Sequence, residues 1–157
     1  MAKRRILTFK DSSLHRVCRP VERFDGRLWT MLDDMAETMY EAQGAGFAAP
    51  QIGVLRRAFI IDCGEGLIEM INPKILETSG EQGGMEGCLS SPGQSGYVVR
   101  PNFVKVRAFD RHGIEREYKG EGLFARAVLH ENDHLDGLIY TRLITEPPEG
   151  YMEEEQE

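Results

Sequence analysis

His130-Glu131-Asn132-Asp133-His134 constrains this chain more than any other short stretch. From about Gly122 to Leu135 the sequence carries a helical pattern that Gly137 stops, so the spacing predicts a helix there. Four residues of helix make slightly more than one turn, and both imidazoles therefore leave one face at one height. Glu131 lies about 100° round the axis from His130, able to reach the space the rings share without ligating. His130 and His134 continue the apolar positions Leu123 and Ala127, which turns them inward, against the alternative of a plain solvated helix face. Inward histidines beside an acid need partners, because a buried polar group without one is costly. A metal ion that activates water, with a carboxylate to move the proton, is the chemistry this pattern serves.

A hydrolytic metal site normally takes a third protein ligand and leaves one position open. In one class of zinc peptidase a Gly-x-x-His continuation supplies it. Here Gly137 is present, but Tyr140 stands at the ligand position. Glu146 and Glu149 remain open as ligands, although they flank the helix breakers Pro147 and Pro148. The three cysteines, Cys18, Cys63 and Cys88, are an odd number, so at least one thiol stays unpaired, as a reducing compartment allows. Cys88 follows Gly83-Gly-Met-Glu-Gly87, a backbone pliant enough to aim a thiolate, and is the preferred ligand. Cys63, at the end of a predicted strand, and Cys18, before Pro20, read as small buried apolar residues.

Elsewhere the pattern is that of one α+β domain spanning residues 1–157, with antiparallel sheets packed around the metal-binding helix of the C-terminal half, and an N-terminal helix. That helix is expected over Gly26–Gln43, capped by Asp25, with Trp29, Leu32, Met35, Met39 and Ala42 on its apolar stripe and Gly44 as its left-handed stop. The stripe reads as core packing rather than a cofactor face. Ala58–Ile61 and Leu67–Ile71 read as a hairpin around Gly64-Glu-Gly66, and Val104–Phe109 with Ile114–Tyr118 as a second. Gly80–Gly96 reads as a long loop, and about 146–157 as a frayed acidic tail.

The net charge of −7 argues against a broad nucleic-acid surface, while leaving room for a small basic patch. No stretch approaches the roughly 20 apolar residues that span a bilayer, and Met1–Arg5 lacks the apolar run of a secretory signal. A cytoplasmic protein without membrane partners is expected.

Gly44-Ala-Gly-Phe-Ala-Ala-Pro-Gln51, Glu86-Gly-Cys-Leu-Ser90 and His130-Glu-Asn-Asp-His134, in that order and spacing, resemble the three signature motifs of peptide deformylase. Leu14–Phe24, Met39-Tyr40, Ile71-Asn-Pro73, Val104–Gly113 and Gly122–Arg126 extend the likeness, so it covers the chain from about Ile6 to Leu143. The resemblance implies removal of the N-formyl group from the N-terminal formylmethionine of newly made polypeptides, with release of formate. It also implies Cys88, His130 and His134 as ligands of one divalent metal ion, with Fe2+ the expected cellular ion and Zn2+, Ni2+ or Co2+ able to substitute. Glu131 would be the general acid and base. The Gln51 amide and the Leu89 backbone N–H would stabilise the oxyanion.

Ala45, Gly46 and Gly87 would meet the substrate, with Leu123 and Ala127 beside its methionine side chain; plain core packing is the competing reading of those last two. Partners would be N-formylmethionyl nascent peptides and, transiently, the ribosome, with no nucleic-acid specificity. Three positions depart from the family pattern: Phe47 for a usual Leu, Leu129 for a usual Gln, and Ser91 for a branched apolar residue. The acidic tail stands where some relatives carry a further helix, which speaks against ribosome docking through a basic C-terminal helix. The rival readings are a zinc peptidase, weakened by Tyr140, and a binding module without activity, which would have no use for the full residue set.

Overall fold

Alternation along the middle of the chain generates strands, and two apolar stripes generate the helices that cover them. The computed structural model describes residues 2–151; the acidic run from 152 onward lies outside the described residues. Strands β1 (Gly46–Ala48), β2 (Ala58–Ile61), β3 (Ile68–Ser79), β6 (Phe103–Phe109) and β7 (Glu115–Glu121) form one sheet in the order β1-β2-β3-β6-β7. Every neighbouring pair in it is antiparallel. Helices α1 (Gly26–Glu41) and α2 (Leu123–Leu135) both pack on this sheet.

β2 shows why the two helices need each other. All four of its residues are buried. Ala58 and Ile60 join the core that contains Leu28, Met31, Leu32, Met35 and Met39 of α1. Phe59 and Ile61 join the core that contains Ala125, Val128 and Leu135 of α2. A strand covered on both faces has no use for alternation, and Ala-Phe-Ile-Ile reads accordingly.

Helix α1 differs from expectation in detail. Asp25 caps it, its carboxylate accepting from Arg27 N–H at 3.2 Å. The buried stripe is Leu28, Met31, Leu32, Met35 and Met39, while Ala42 is exposed and Trp29 sits at the margin. Trp29 is held by its indole N–H, which donates to Arg111 C=O at 2.7 Å, and its ring meets His112 edge-on. The left-handed residue at the helix end is Gln43, with φ of 60°, rather than Gly44. Gly44 instead leaves room for the Leu89 side chain, whose Cδ1 would lie 2.7 Å from a Cβ there.

Gly80–Gly96 is not a loop throughout. Gln82–Gly87 (β4) and Ser95–Arg100 (β5) pair antiparallel as a separate two-stranded sheet. Glycines make this hairpin by what they omit. The Tyr97 ring crosses over Gly83, where a Cβ would collide with it, and Ile144 packs on Gly96.

The chain beyond α2 turns through Tyr140–Leu143 and returns along β5. Ile144 bridges Val98, Thr145 N–H donates to Tyr97 C=O at 2.9 Å, and the Tyr151 and Tyr97 rings meet edge-on at 4.8 Å. The described part of the tail is therefore laid along the hairpin rather than frayed. No helix among the described residues is long and apolar enough to cross a membrane.

Gly137 makes the turn that follows α2, at φ +73°, and a Cβ there would lie 2.8–2.9 Å from backbone atoms of His15 and Arg16. Backbone cannot step aside as a side chain tip can. Gly137→Ala therefore loses at least about 2 kcal/mol, left-handed strain and clash together, and the melting temperature checks it.

Candidate metal centre

The histidine pair is positioned by packing. Ala125, Val128 and Leu135 bury the face of α2 that faces the sheet, which turns His130 and His134, on the Ala127 side, into the space between α2 and the β4–β5 hairpin. His130 and His134 are 7% and 1% exposed. Cys88 enters the same space from the turn that follows β4, held by Ser91 N–H donating to Cys88 C=O at 2.9 Å. One ligand atom from each of Cys88, His130 and His134 lies within 4.8 Å of the others, and Cys88 Sγ is 3.4 Å from His134 Nε2. Cys18 is buried in the core under α2, whereas Cys63 is only partly buried, exceeding the expectation for an inert core thiol.

Glu86 explains the orientation of the first imidazole. Its carboxylate accepts from His130 Nδ1–H at 2.5 Å, which leaves Nε2 as the nitrogen that could ligate a metal ion. Glu86 is itself gripped by Arg100, through Nη2 at 2.7 Å and Nε at 2.9 Å, and by Arg126 at 2.6 Å. Arg100 also donates to Asp133 at 3.1 Å, tying the hairpin to α2. Burial opposes ionisation of Glu86, but the bonds from His130 and Arg100 outweigh it and hold its carboxyl far below the usual range. Tyr140, at the position where a peptidase would carry a third histidine, stacks on the His130 ring at 5.8 Å instead.

The electrostatics fit a cation. Burial and the neighbouring His130 push His134 down to about 3, so its imidazole is neutral with a lone pair to give. At His130 burial works against charge, yet Glu131, Cys88 and Glu86 outweigh it and raise its affinity for a proton. Surroundings that favour a proton on that ring favour a metal ion in its place. Two imidazoles and a sulfur are a donor set for Fe2+, Zn2+, Co2+ or Ni2+.

Glu131 is 4% exposed; its Oε2 stands 3.9 Å from His130 Nε2 and its Oε1 has no hydrogen-bond partner among the described residues. Burial pushes its carboxyl up to about 7, against the pull of His130. A carboxyl near neutrality can both take and return a proton. Gly46 lets this side chain in: a Cβ at 46 would lie 2.6 Å from Glu131 Oε2.

Gln51 is buried, and its orientation follows from Ala48, whose N–H donates to Gln51 Oε1 at 2.9 Å. The amide nitrogen is thereby directed to Ser90 Oγ at 3.0 Å and Cys88 Sγ at 3.6 Å. Nothing among the described residues accepts from the Leu89 backbone N–H. A cavity of about 420 Å³ opens over Cys88, His130 and Glu131 and is lined also by Ala45, Gly46, Gly87, Leu89, Leu123 and Ala127, while Gln51 lies behind it. Leu123 is 55% exposed, a rim residue rather than core, while Ala127 is buried. The Ala45 C=O already accepts from Asp62 N–H at 2.8 Å. Of the departing positions, Phe47 is fully buried in the α1 core, Leu129 packs at the edge of the α2 core, and Ser91 lines the cavity with its hydroxyl turned to Gln94.

Glu86 and Arg100 carry no visible signal in the sequence beyond the place of Glu86 beside the Gly-Cys pair, because their partners lie far along the chain. Glu86→Gln keeps the shape but removes the charge. It is expected to weaken metal affinity by about 10- to 100-fold, measured by competition with a chelator.

Known proteins carry the same frame. A family profile for polypeptide deformylase matches residues 3–148. The peptide deformylase of Clostridium botulinum is 53% identical over 140 residues, covering 89% of this chain and 95% of that protein. The one from Lachnoclostridium phytofermentans is 49% identical across the full length of both. The crystal structure of Thermotoga maritima peptide deformylase superposes with a TM-score of 0.91 at 37% identity, covering 93% of this chain and 100% of the other. That of the Ehrlichia chaffeensis enzyme in complex with actinonin reaches 0.90 at 36% identity, covering 92% and 90%. The matched span contains β1, the turn after β4 and α2, the three segments that meet around Cys88, His130 and His134, and on these grounds the chain belongs to the polypeptide deformylase family.

Proposed function

We propose that this chain is a metal-dependent hydrolase that removes the N-formyl group from the N-terminal formylmethionine of newly made polypeptides and releases formate. The observation that carries the reading is the convergence of Cys88, His130 and His134 beside the buried Glu131 carboxylate, one oxygen of which has no hydrogen-bond partner among the described residues, in the lining of an open cavity. One catalytic domain spanning the chain would perform it, in the cytoplasm where peptides are made.

Cys88, His130 and His134 would hold one divalent metal ion, with Fe2+ the cellular ion of choice and Zn2+, Ni2+ or Co2+ as substitutes. Bound there, the ion supplies a Lewis acid that makes water acidic enough to attack at neutral pH. Glu131 takes the proton as water oxygen adds to the formyl carbon. Negative charge then develops on the former carbonyl oxygen. Gln51 Nε2–H, buried and turned toward Cys88 Sγ, and the N–H of Leu89, which lines the cavity, are neutral donors suited to receive that charge without quenching the nucleophile. Glu131 returns the proton to the leaving nitrogen as the C–N bond breaks, giving formate and a free amino terminus.

The peptide is placed by backbone. Among the described residues β1 pairs only with β2, so its other edge, at Gly46, is open beside the cavity that Ala45, Gly46 and Gly87 line. An extended peptide can add there as a strand. The methionine side chain, long and unbranched, fits between Ala127 and the rim residue Leu123. The test is formate release from formyl-Met-Ala-Ser by protein purified without oxygen and loaded with Fe2+. Turnover no faster than a Glu131→Ala control would overturn the reading.

A further inference from the structure

A second cavity, of about 550 Å³, lies at the other end of α1 and is lined by Arg4, Arg19, Arg23, Arg27 and Arg56 with Glu22 as the lone acid. Arg4 is paired with Asp34 at 2.8 Å. Among the described residues the other four arginines form no ion pair, and all four are exposed. In a chain of net charge −7 this is a local reversal of sign.

The fold holds these charges together against their repulsion. Arg19 and Arg56 are neighbours in a parallel bridge, with Arg19 N–H donating to Leu55 C=O at 3.0 Å and Arg57 N–H to Arg19 C=O at 2.8 Å. Like charges set side by side by backbone pairing are destabilising. Asn72 fixes the same segment further along. Its amide accepts from Val21 N–H at 2.8 Å and donates to Val21 C=O at 2.9 Å, from a residue held at φ of 51°. Arg27 occupies the first turn of α1, the end where the helix dipole disfavours a cation. An anionic partner would relieve the first and the last of these, the Arg19–Arg56 repulsion and the cation in the first turn of α1.

We propose that this arginine-lined cavity docks the phosphodiester backbone of structured RNA. None of the four free guanidinium groups is buried, which suits an extended polyanion better than one enclosed phosphate. Guanidinium matches phosphate in fork geometry, and such contacts carry no base preference. The identification of RNA as the partner rests on the proposed activity, since newly made peptides emerge from a particle whose surface is largely RNA. α1 separates the two cavities by roughly 20 Å, at 1.5 Å per residue, so the docking face is not a substrate subsite.

The test follows a fluorescent RNA hairpin by anisotropy in rising KCl, using the full chain. Binding should weaken with salt, the logarithm of the association constant falling with a slope near −3, and R19Q/R23Q/R27Q should remove about 2–3 units of that slope. At 50 mM KCl the triple variant should bind at least tenfold more weakly, while R19K/R23K/R27K retains binding and Arg107→Gln has no effect. Formate release from a short formyl peptide should be unchanged in all of them. An unaltered slope in the triple glutamine variant overturns the proposal. So does arginine-dependent binding to phosphatidylserine vesicles without binding to the hairpin. Arginine-dependent RNA binding by a chain that releases no formate would sink the hydrolase reading alone.

Discussion

Glu131→Gln should lower formate release by about 10³-fold, within the 10²–10⁴ range typical of general acid–base catalysis, while the metal content stays near that of the unaltered chain. The split between the two measurements is the informative part. Glu131 is buried, and its second oxygen has no partner among the described residues, so an amide of the same shape can occupy the place without disturbing His130. What the amide cannot do is take a proton from water and return it to the leaving nitrogen. The loss should fall on kcat, with KM little changed, because no peptide contact is assigned to this side chain. A variant that loses metal and rate together would show Glu131 to be a ligand, and the division of labour in the site would have to be redrawn.

Cys88→Ser should have the opposite signature. A serine hydroxyl stays protonated near neutrality, so the site would lose its one anionic donor and keep two imidazoles. Structural metal sites of a few ligands bind with apparent energies of about 10–16 kcal/mol, or roughly 3–5 kcal/mol per ligand when shared among three. Affinity should therefore fall by about 10²- to 10⁴-fold, and the chain should be purified largely without metal. Elemental analysis of anaerobically prepared protein measures this directly, and formate release should fall in proportion. Retention of a full equivalent of metal would remove Cys88 from the ligand set. It would also return attention to the other thiols, although Cys18 is enclosed in the core beneath α2.

How far these roles could be read from sequence depends on how local their cause is. The helix with His130 and His134 is legible because its pattern, its spacing and its glycine stop lie within fifteen residues of one another. The hairpins β2–β3 and β6–β7 are legible for the same reason, the first as two apolar runs about a glycine turn and the second as an alternating strand followed by the tight turn Asp110-Arg-His-Gly113. β4 and β5 are not, since Gly83, Gly84, Gly87 and Gly96 contribute no alternation, and the strands arise from backbone pairing under Tyr97 and Ile144. The left-handed helix end falls at Gln43, one residue before the glycine that the pattern predicts, because glycine is the ordinary choice for that geometry whereas Gly44 here packs against Leu89. Glu86 and Arg100 stay hidden because their meaning is tertiary: the carboxylate acquires it only when His130, 44 residues away, arrives beside it. Leu123 misleads in the other direction, being apolar and in phase with the histidines yet standing at the mouth of the cavity.

Among the described residues the β4–β5 hairpin shares no strand pairing with the larger sheet. It is fastened to α2 by the ion pairs Arg100–Asp133 and Arg126–Glu86 and by the sulfur that faces His134. An ion gripped by Cys88 on one side and two histidines on the other would act as a rivet through two separate plates. Reactivity and assembly would then draw on the same few atoms, so neither could be tuned by selection without the other feeling the change.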